Sequence, residues 1–158
     1  MIGRSGSPLP VGYGSLFAMT AHAQVPELQR WLEEYVARHS GVAGTVHALA
    51  GDNLELRAAV NIPPRVAEVT RSIPRGKGMA GLAWERDRPV STCNLKTDRS
   101  GDVKPGARAV DANAAVAIPI HGPGSGFRGV VGIAFMGERD MEPAELETLA
   151  AEAERAPL

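Results

Sequence analysis

Apolar positions recur at helical spacing in two stretches of the chain. The first begins at Pro26, a favoured first helical position, and its apolar stripe is formed by Leu28, Leu32, Tyr35 and His39. Gly41 is the predicted stop of this helix. The second begins at Pro143, with a stripe formed by Leu146, Leu149, Ala150 and Ala153. One helix is therefore expected near each end of the domain.

Strand-like runs lie between these helices and pair naturally as hairpins. VAGTVHALA and LELRAAV flank the turn-forming trio Gly51-Asp52-Asn53. AAVAIPI and RGVVGIAFM are joined by the glycine-rich loop HGPGSGF, and PVSTCNL reads as a further strand. Because hairpin-joined strands run antiparallel, the sheet is expected to be antiparallel.

Short helices and one long polar segment separate the two hairpins. NIPPRVAEVTRSIP contains one or two helical turns before Pro74, and RGKGMAGLAWERDRP is a glycine-rich turn entering a short helix over 79–86. KTDRSGDVKPGARAVDAN is long and broken by Gly and Pro, which is typical of a functional or mobile loop. The predicted fold is α+β, with a central antiparallel sheet carrying the terminal helices on one face. The short helices and the long loop cover the other face, where a cavity would form.

Length and composition fit one globular domain. The chain has 158 residues, of which 44% are hydrophobic and 22% charged. Residues 1–14 are rich in Gly, Ser and Pro and are predicted to be a flexible arm, leaving 15–158 as the domain.

Charge and cysteine content exclude several classes of function. The net charge of −1 argues against a nucleic-acid binder, although the segment from Arg65 to Arg108 carries ten basic and five acidic residues. A lone cysteine, Cys93, allows no intrachain disulfide. Neither a membrane-spanning run nor a signal-peptide core is visible, so a cytoplasmic protein without a membrane partner is expected.

Four blocks follow one another along the sequence: RAAVNIPP, SIPRGKGMAGLAWERDRPVSTCNL, AVAIPIHGPGSGFRGVVGIAF and the closing helix MEPAELETLAAEAE. Together, in this order, they resemble a GAF domain. The resemblance implies an antiparallel sheet, first and last helices packed together and often forming a dimer contact, and a small-molecule pocket on the opposite face. The NKFDE-type constellation of cyclic-nucleotide-binding members is absent. Asn94 stands where many relatives have aspartate, and 111–113 read Asp-Ala-Asn where Gly and Ser are frequent.

Gly76, Gly78 and Gly81 spell the dinucleotide-binding pattern G-x-G-x-x-G, but their context does not fit it. Pro74 precedes the pattern, and the helix that follows is too short for a βαβ crossover. A structural turn is the favoured interpretation. The start of the helix could still hold an anion with its free N–H groups, supported by nearby Lys77.

The candidate ligand contacts lie around the predicted cavity. Trp84 could pack in the core or form a flat wall, Cys93 is either a small buried hydrophobe or a redox thiol, and loop residues could cap the ligand. The candidate ligand contacts are Arg71, Met79, Trp84, Cys93, Asn94, Arg108, Asp111 and Asn113. The histidines lack metal-ligand spacing, so no metal and no cofactor is expected, with haem the disfavoured alternative that some GAF sensors suggest.

Three hypotheses of different classes follow. The first is a sensory or regulatory GAF-like domain, not an enzyme, that binds an unknown, anionic or polar small molecule and acts on a signalling partner or a second copy of itself. A homodimer is expected through the helix near residues 26–39 and the C-terminal helix. The second is a dimerisation module without a ligand. The third is a redox enzyme like the GAF-fold free methionine sulfoxide reductases, which the single cysteine disfavours.

Overall fold

The computed structural model describes residues 26–93 and 112–158. The predicted N-terminal arm and most of the predicted long loop lie outside these residues. Within these residues there are four α-helices, α1 (Pro26–Arg38), α2 (Pro64–Val69), α3 (Gly78–Arg86) and α4 (Pro143–Ala153), and one short 3₁₀ helix (Pro123–Ser125). The strands are β1 (Ala43–Ala50), β2 (Asn53–Val60), β3 (Ser72–Pro74), β4 (Val90–Thr92), β5 (Ala114–His121) and β6 (Phe127–Phe135).

The six strands form one sheet in the order β3-β2-β1-β6-β5-β4. Every neighbouring pair is antiparallel. The two predicted hairpins, β1–β2 and β5–β6, are both present, and pairing of β1 with β6 joins them at the centre. The predicted α+β architecture is confirmed.

The first and last helices pack together on one face of this sheet, as expected. The apolar stripe of α1 buries Leu28, Leu32 and Tyr35 against the sheet and α4. The Tyr35 hydroxyl donates a 2.9 Å hydrogen bond to the carbonyl of Leu149 on α4. Each fully buried large apolar side chain contributes about 1.5–3 kcal/mol, so this layer supplies most of the hydrophobic stabilisation.

The opposite face is covered by α2, β3 and α3. Two smaller apolar clusters form there, one around Val66 and Ala43 and the other around Leu54 and Ala83. Because this cover is made of short elements, it leaves part of the sheet face unfilled.

The structure differs from the sequence-based prediction in two local details. Ser40, with φ of 60°, is the left-handed residue that ends α1, whereas Gly41 was predicted to stop it. Gly41 serves close packing, since a Cβ there would lie 2.7 Å from Cγ1 of Ile133. Strand β3 was not predicted, because three residues carry no measurable period and the strand exists only through its pairing with β2.

None of the four helices in the described part of the chain combines the length and the apolar composition needed to cross a membrane.

Candidate functional site

A cavity of about 330 Å³ lies between the sheet and the short elements that cover it. Its floor is formed by β1, β5 and β6, and its walls by α2, β3 and the start of α3. This volume is at the lower end of the range for small-molecule pockets. The site is therefore on the face where the element order predicted one.

Small side chains on the central strands create the floor. Ala115 on β5 pairs with Ala134 on β6, and Ala117 pairs with Gly132 in the next row. The same rows continue onto β1, where Ala43 faces Ala134 and Thr45 faces Gly132. Since successive residues of a strand point to opposite faces, the branched residues between them fill the helical side. The cavity is the volume that these small residues leave empty.

The walls of the cavity are almost entirely apolar. They are formed by Ile62, Val66, Val69, Ile73, Met79 and Ala80. A ligand in this position would gain most of its binding free energy by leaving water, at about 25 cal/mol for each Å² of apolar surface buried.

The glycine-rich turn before α3 is a structural turn that places one end of the helix at the cavity. The Gly76 amide donates to the carbonyl of Gly81 at 2.9 Å, and a Cβ on Gly81 would lie only 2.5 Å from the carbonyl oxygen of Pro74. The sheet is antiparallel, so the βαβ context of a dinucleotide fingerprint is absent among the described strands. Lys77 and Gly78, at the start of the helix, line the cavity.

His47 is the buried polar group of the floor. It lies on β1, is 3% exposed, and lines the cavity. Its Nε2 is 2.8 Å from the carbonyl oxygen of Thr70, at the end of α2. Desolvation by burial lowers the pKa of His47 to about 4, against smaller opposing effects of the Thr70 carbonyl and the carboxylate of Glu55. The imidazole is therefore neutral at physiological pH.

The sequence-predicted contacts are only partly brought together. Met79 lines the cavity. Arg71 is exposed, with its Nη2 3.8 Å from Glu68 Oε2, and lies outside the lining. Trp84 also lies outside the lining, because its ring stacks on Phe127 with centroids 5.6 Å apart. The core-packing interpretation of Trp84 accounts for its position.

The remaining predicted contacts lie near or beyond the limits of the described segments. Cys93 is exposed just after β4 and does not line the cavity. The backbone N–H of Asn113 donates to the carbonyl of Phe135 at 2.9 Å, and Asn113 is also outside the lining of the cavity. Asn94, Arg108 and Asp111 lie outside the described residues. A ligand role for these five positions stays a prediction.

His47 and the small residues of the floor are not among the sequence-predicted ligand contacts. A signal for the floor was present: the runs AAVAIPI and RGVVGIAF alternate small with large residues, which indicates a strand with one well-packed face and one unfilled face. His47 carries no comparable signal, because its burial depends on residues of α2 that are distant in sequence.

No group of three or more metal-ligating side chains occurs within 26–93 and 112–158.

Solved structures with the same fold include both GAF domains and free methionine-R-sulfoxide reductases. The GAF domain of a phosphoenolpyruvate-protein phosphotransferase from Coxiella burnetii matches with a TM-score of 0.64 at 17% identity, covering 90% of this chain and 86% of that chain. The GAF domain region of a putative membrane protein from Geobacter sulfurreducens matches with a TM-score of 0.65 at 14% identity, covering 82% and 87%.

The free methionine-R-sulfoxide reductase of Neisseria meningitidis, solved in complex with its substrate, matches with a TM-score of 0.58 at 14% identity, covering 99% of this chain and 94% of that chain. No family model matches the sequence, and no curated protein matches it. At these identities the likeness establishes the fold alone. The fold is GAF-like, and it is shared by GAF domains of other proteins and by free methionine-R-sulfoxide reductases.

Proposed function

We propose that this domain is a small-molecule-binding regulatory domain whose ligand occupies the cavity between the central strands and α2–β3–α3. The observation that carries the proposal is the preformed apolar volume of about 330 Å³ with one buried, neutral histidine in its floor. A domain whose only task was self-association would gain stability by filling this volume, since dispersion contacts are lost around a void.

Regulation requires that the cavity communicate with the helical face, and the polar contacts of His121 provide a route. His121 ends β5, and its Nε2 lies 2.6 Å from Oδ1 of Asp87, the residue that closes α3. Its Nδ1 lies 3.9 Å from Oε2 of Glu154, the residue that closes α4. A shift of α3 on ligand binding would thereby change the end of α4, on the other face of the sheet.

The output of such a shift would be association with a second copy or with a signalling partner. Helices α1 and α4 pack side by side, with Arg38 Nη1 2.5 Å from Glu152 Oε1. Small exposed residues, Ala37 on α1 and Ala151 on α4, permit close approach of another helix. Sedimentation velocity at micromolar concentration is expected to show a dimer that Ala151→Arg dissociates. A wild-type monomer at that concentration would contradict dimerisation, but it would not affect the proposal that the cavity binds a ligand.

The cavity itself is tested by filling it. Ala134→Leu adds three carbons to the floor, and Ala144→Leu, at an exposed position in the first turn of α4, is the matched control. Freshly purified wild-type protein and the control are expected to retain a small molecule in native mass spectrometry, and Ala134→Leu to lose it. A ligand present at 100 times its Kd should stabilise the wild type by about 2.7 kcal/mol, which corresponds to ~5–10 °C in Tm.

Ala134→Leu should unfold at the same or a higher temperature than the wild type, because the added carbons fill an empty volume. If the variant bound every ligand as the wild type does, the cavity would not be the binding site. If neither protein retained or responded to any small molecule, a dimerisation module without a ligand would be the better description.

Reductase activity is the second candidate, because reductases share the fold. In such a reaction the sulfoxide would be reduced to a thioether while the Cys93 thiol is oxidised to a sulfenic acid. Because the chain has one cysteine, an external thiol reductant would have to reduce the sulfenic acid back to the thiol, with release of water. Incubation with free methionine-R-sulfoxide and a thiol reductant is expected to yield no methionine. Turnover that Cys93→Ser abolishes would make the protein an enzyme.

A further inference from the structure

The polar side chains that line the cavity are few, and some are already engaged. The Thr70 hydroxyl donates to the carbonyl of Val66 at 2.8 Å. The Ser72 hydroxyl donates to Oε2 of Glu55 at 2.6 Å. Both hydroxyls already donate a hydrogen bond within the protein, so neither has a proton available for a ligand.

The hydrogen bond of His47 determines which of its ring nitrogens faces a ligand. Its partner, the Thr70 carbonyl oxygen, can only accept, so Nε2 must carry the proton. A neutral imidazole has one proton, which leaves Nδ1 as a bare acceptor. Within residues 26–93 and 112–158 no group donates to that nitrogen. Nδ1 keeps some accessible surface, so a ligand in the cavity could donate a hydrogen bond to it in place of water.

The charges of the described lining residues do not favour an anionic ligand beside His47. Lys77 is the one cationic side chain among the described lining residues, and it is exposed, so water screens it. A carboxylate placed against His47 would bring its own lone pairs towards the lone pair of Nδ1. The inner part of the cavity therefore suits a donor, and its apolar walls suit an uncharged body.

We propose that the ligand is an uncharged, largely apolar small molecule that donates one hydroxyl or N–H hydrogen bond to Nδ1 of His47. This inference rests on the proposed function and specifies the ligand class of the same cavity. The volume of about 330 Å³ equals that of about ten waters, taking ~30 Å³ for each, so a ligand of about ten non-hydrogen atoms fits. Thr45 lies two residues away on the same face of β1 and can contact a second polar atom.

Three probes with nine non-hydrogen atoms each separate the contributions of the hydrogen-bond donor, the apolar shape and the negative charge to binding. Indole carries an N–H donor, benzofuran has the same shape without a donor, and benzoate carries a negative charge. Titration of the full chain by calorimetry is expected to show indole binding about tenfold more tightly than benzofuran, with benzoate weaker than both. In His47→Leu the preference for indole over benzofuran should disappear, whereas the surface control Ala144→Leu should keep it.

A measurement on the wild type alone keeps the inference testable if His47→Leu does not fold. Nitrogen-15 NMR of the His47 ring should show the bare Nδ1 moving upfield when indole is added and staying nearly unchanged with benzofuran. Equal affinity for indole and benzofuran, or tightest binding of benzoate, would overturn the ligand class while leaving the pocket in place. If no probe bound, the ligand class would be overturned. If, in addition, neither the wild type nor Ala144→Leu retained any small molecule in native mass spectrometry, the proposed function would fail as well.

Discussion

Acidification should destabilise this domain well above the pH at which its carboxylates titrate, because His47 is buried in the neutral form. In the unfolded chain this side chain has an ordinary pKa of 6.5, whereas burial lowers its pKa to about 4 in the folded state. The unfolded state therefore binds the proton first as the pH falls. The stability that depends on a neutral His47 is fully present above pH 6.5 and is lost progressively between pH 6.5 and pH 4.

The size of this loss follows from the two pKa values. Between pH 7 and pH 5 the free energy of unfolding should fall by about 2 kcal/mol, and by pH 4 by about 3 kcal/mol. The Glu55 carboxylate on β2 acts on His47 and favours its protonation, but this effect is smaller than the desolvation. For Glu152, desolvation is the largest single effect, but the hydrogen bonds and charges of Arg38 and His39 together outweigh it, so the pKa of Glu152 is lowered. The stability that this carboxylate contributes is therefore lost as the pH falls through its ordinary pKa of 4.5 and below, at lower pH than the effect of His47.

Urea denaturation followed by tryptophan fluorescence, at half-unit steps from pH 8 to pH 4.5, measures the effect. The matched variant is His47→Gln, which keeps an N–H donor for the Thr70 carbonyl and does not titrate in this range. The two proteins are compared by the slope of the free energy of unfolding against pH, so a difference between their absolute stabilities does not affect the result. If the wild type and His47→Gln lost stability in parallel between pH 7 and pH 5, the buried neutral imidazole would not be the cause.

Three further substitutions test the fold and the lone thiol. Tyr35→Phe removes the hydrogen bond to Leu149 that joins the first and last helices and should lower the free energy of unfolding by about 1 kcal/mol in urea titrations. Gly81→Ala, which would stabilise an ordinary helix, should destabilise here by about 1–3 kcal/mol, since its Cβ would meet the Pro74 carbonyl; a raised Tm would contradict that contact. Cys93→Ser should change stability by less than about 0.5 kcal/mol and leave indole binding unaltered, and a loss of either would show that the exposed thiol has a role.

Periodic local signals account for the parts of the fold that could be predicted. The stripe of α1, the proline that opens α4 and the two hairpin turns each act within a few residues, and together they indicate an antiparallel sheet with both terminal helices on one side. The short helix after the glycine-rich turn also follows from local chemistry, since Asp87 adopts the left-handed conformation that closes it.

The binding chemistry could not be predicted in the same way, because it depends on contacts between distant segments. Most of the predicted ligand contacts were charged or polar residues such as Arg71, with Met79 among the exceptions, whereas the described lining of the cavity consists mainly of small and apolar side chains and includes Met79. Trp84 lies on the predicted helix, but its stacking on Phe127 from β6 turns it away from the cavity. Side-chain direction on a short helix is decided by its packing partners, which the local sequence does not specify.

The sequence by itself thus determined the order of the elements other than β3, the antiparallel sheet and the face on which a cavity would lie, because turn chemistry and apolar period are local properties. Only the tertiary structure decided that the floor is unfilled, that β3 exists, and that His47 is buried against Thr70 with one nitrogen left as an acceptor. Burial and the resulting tautomer are set by which segments pack above a residue, and this information is not contained in the neighbours of that residue along the chain.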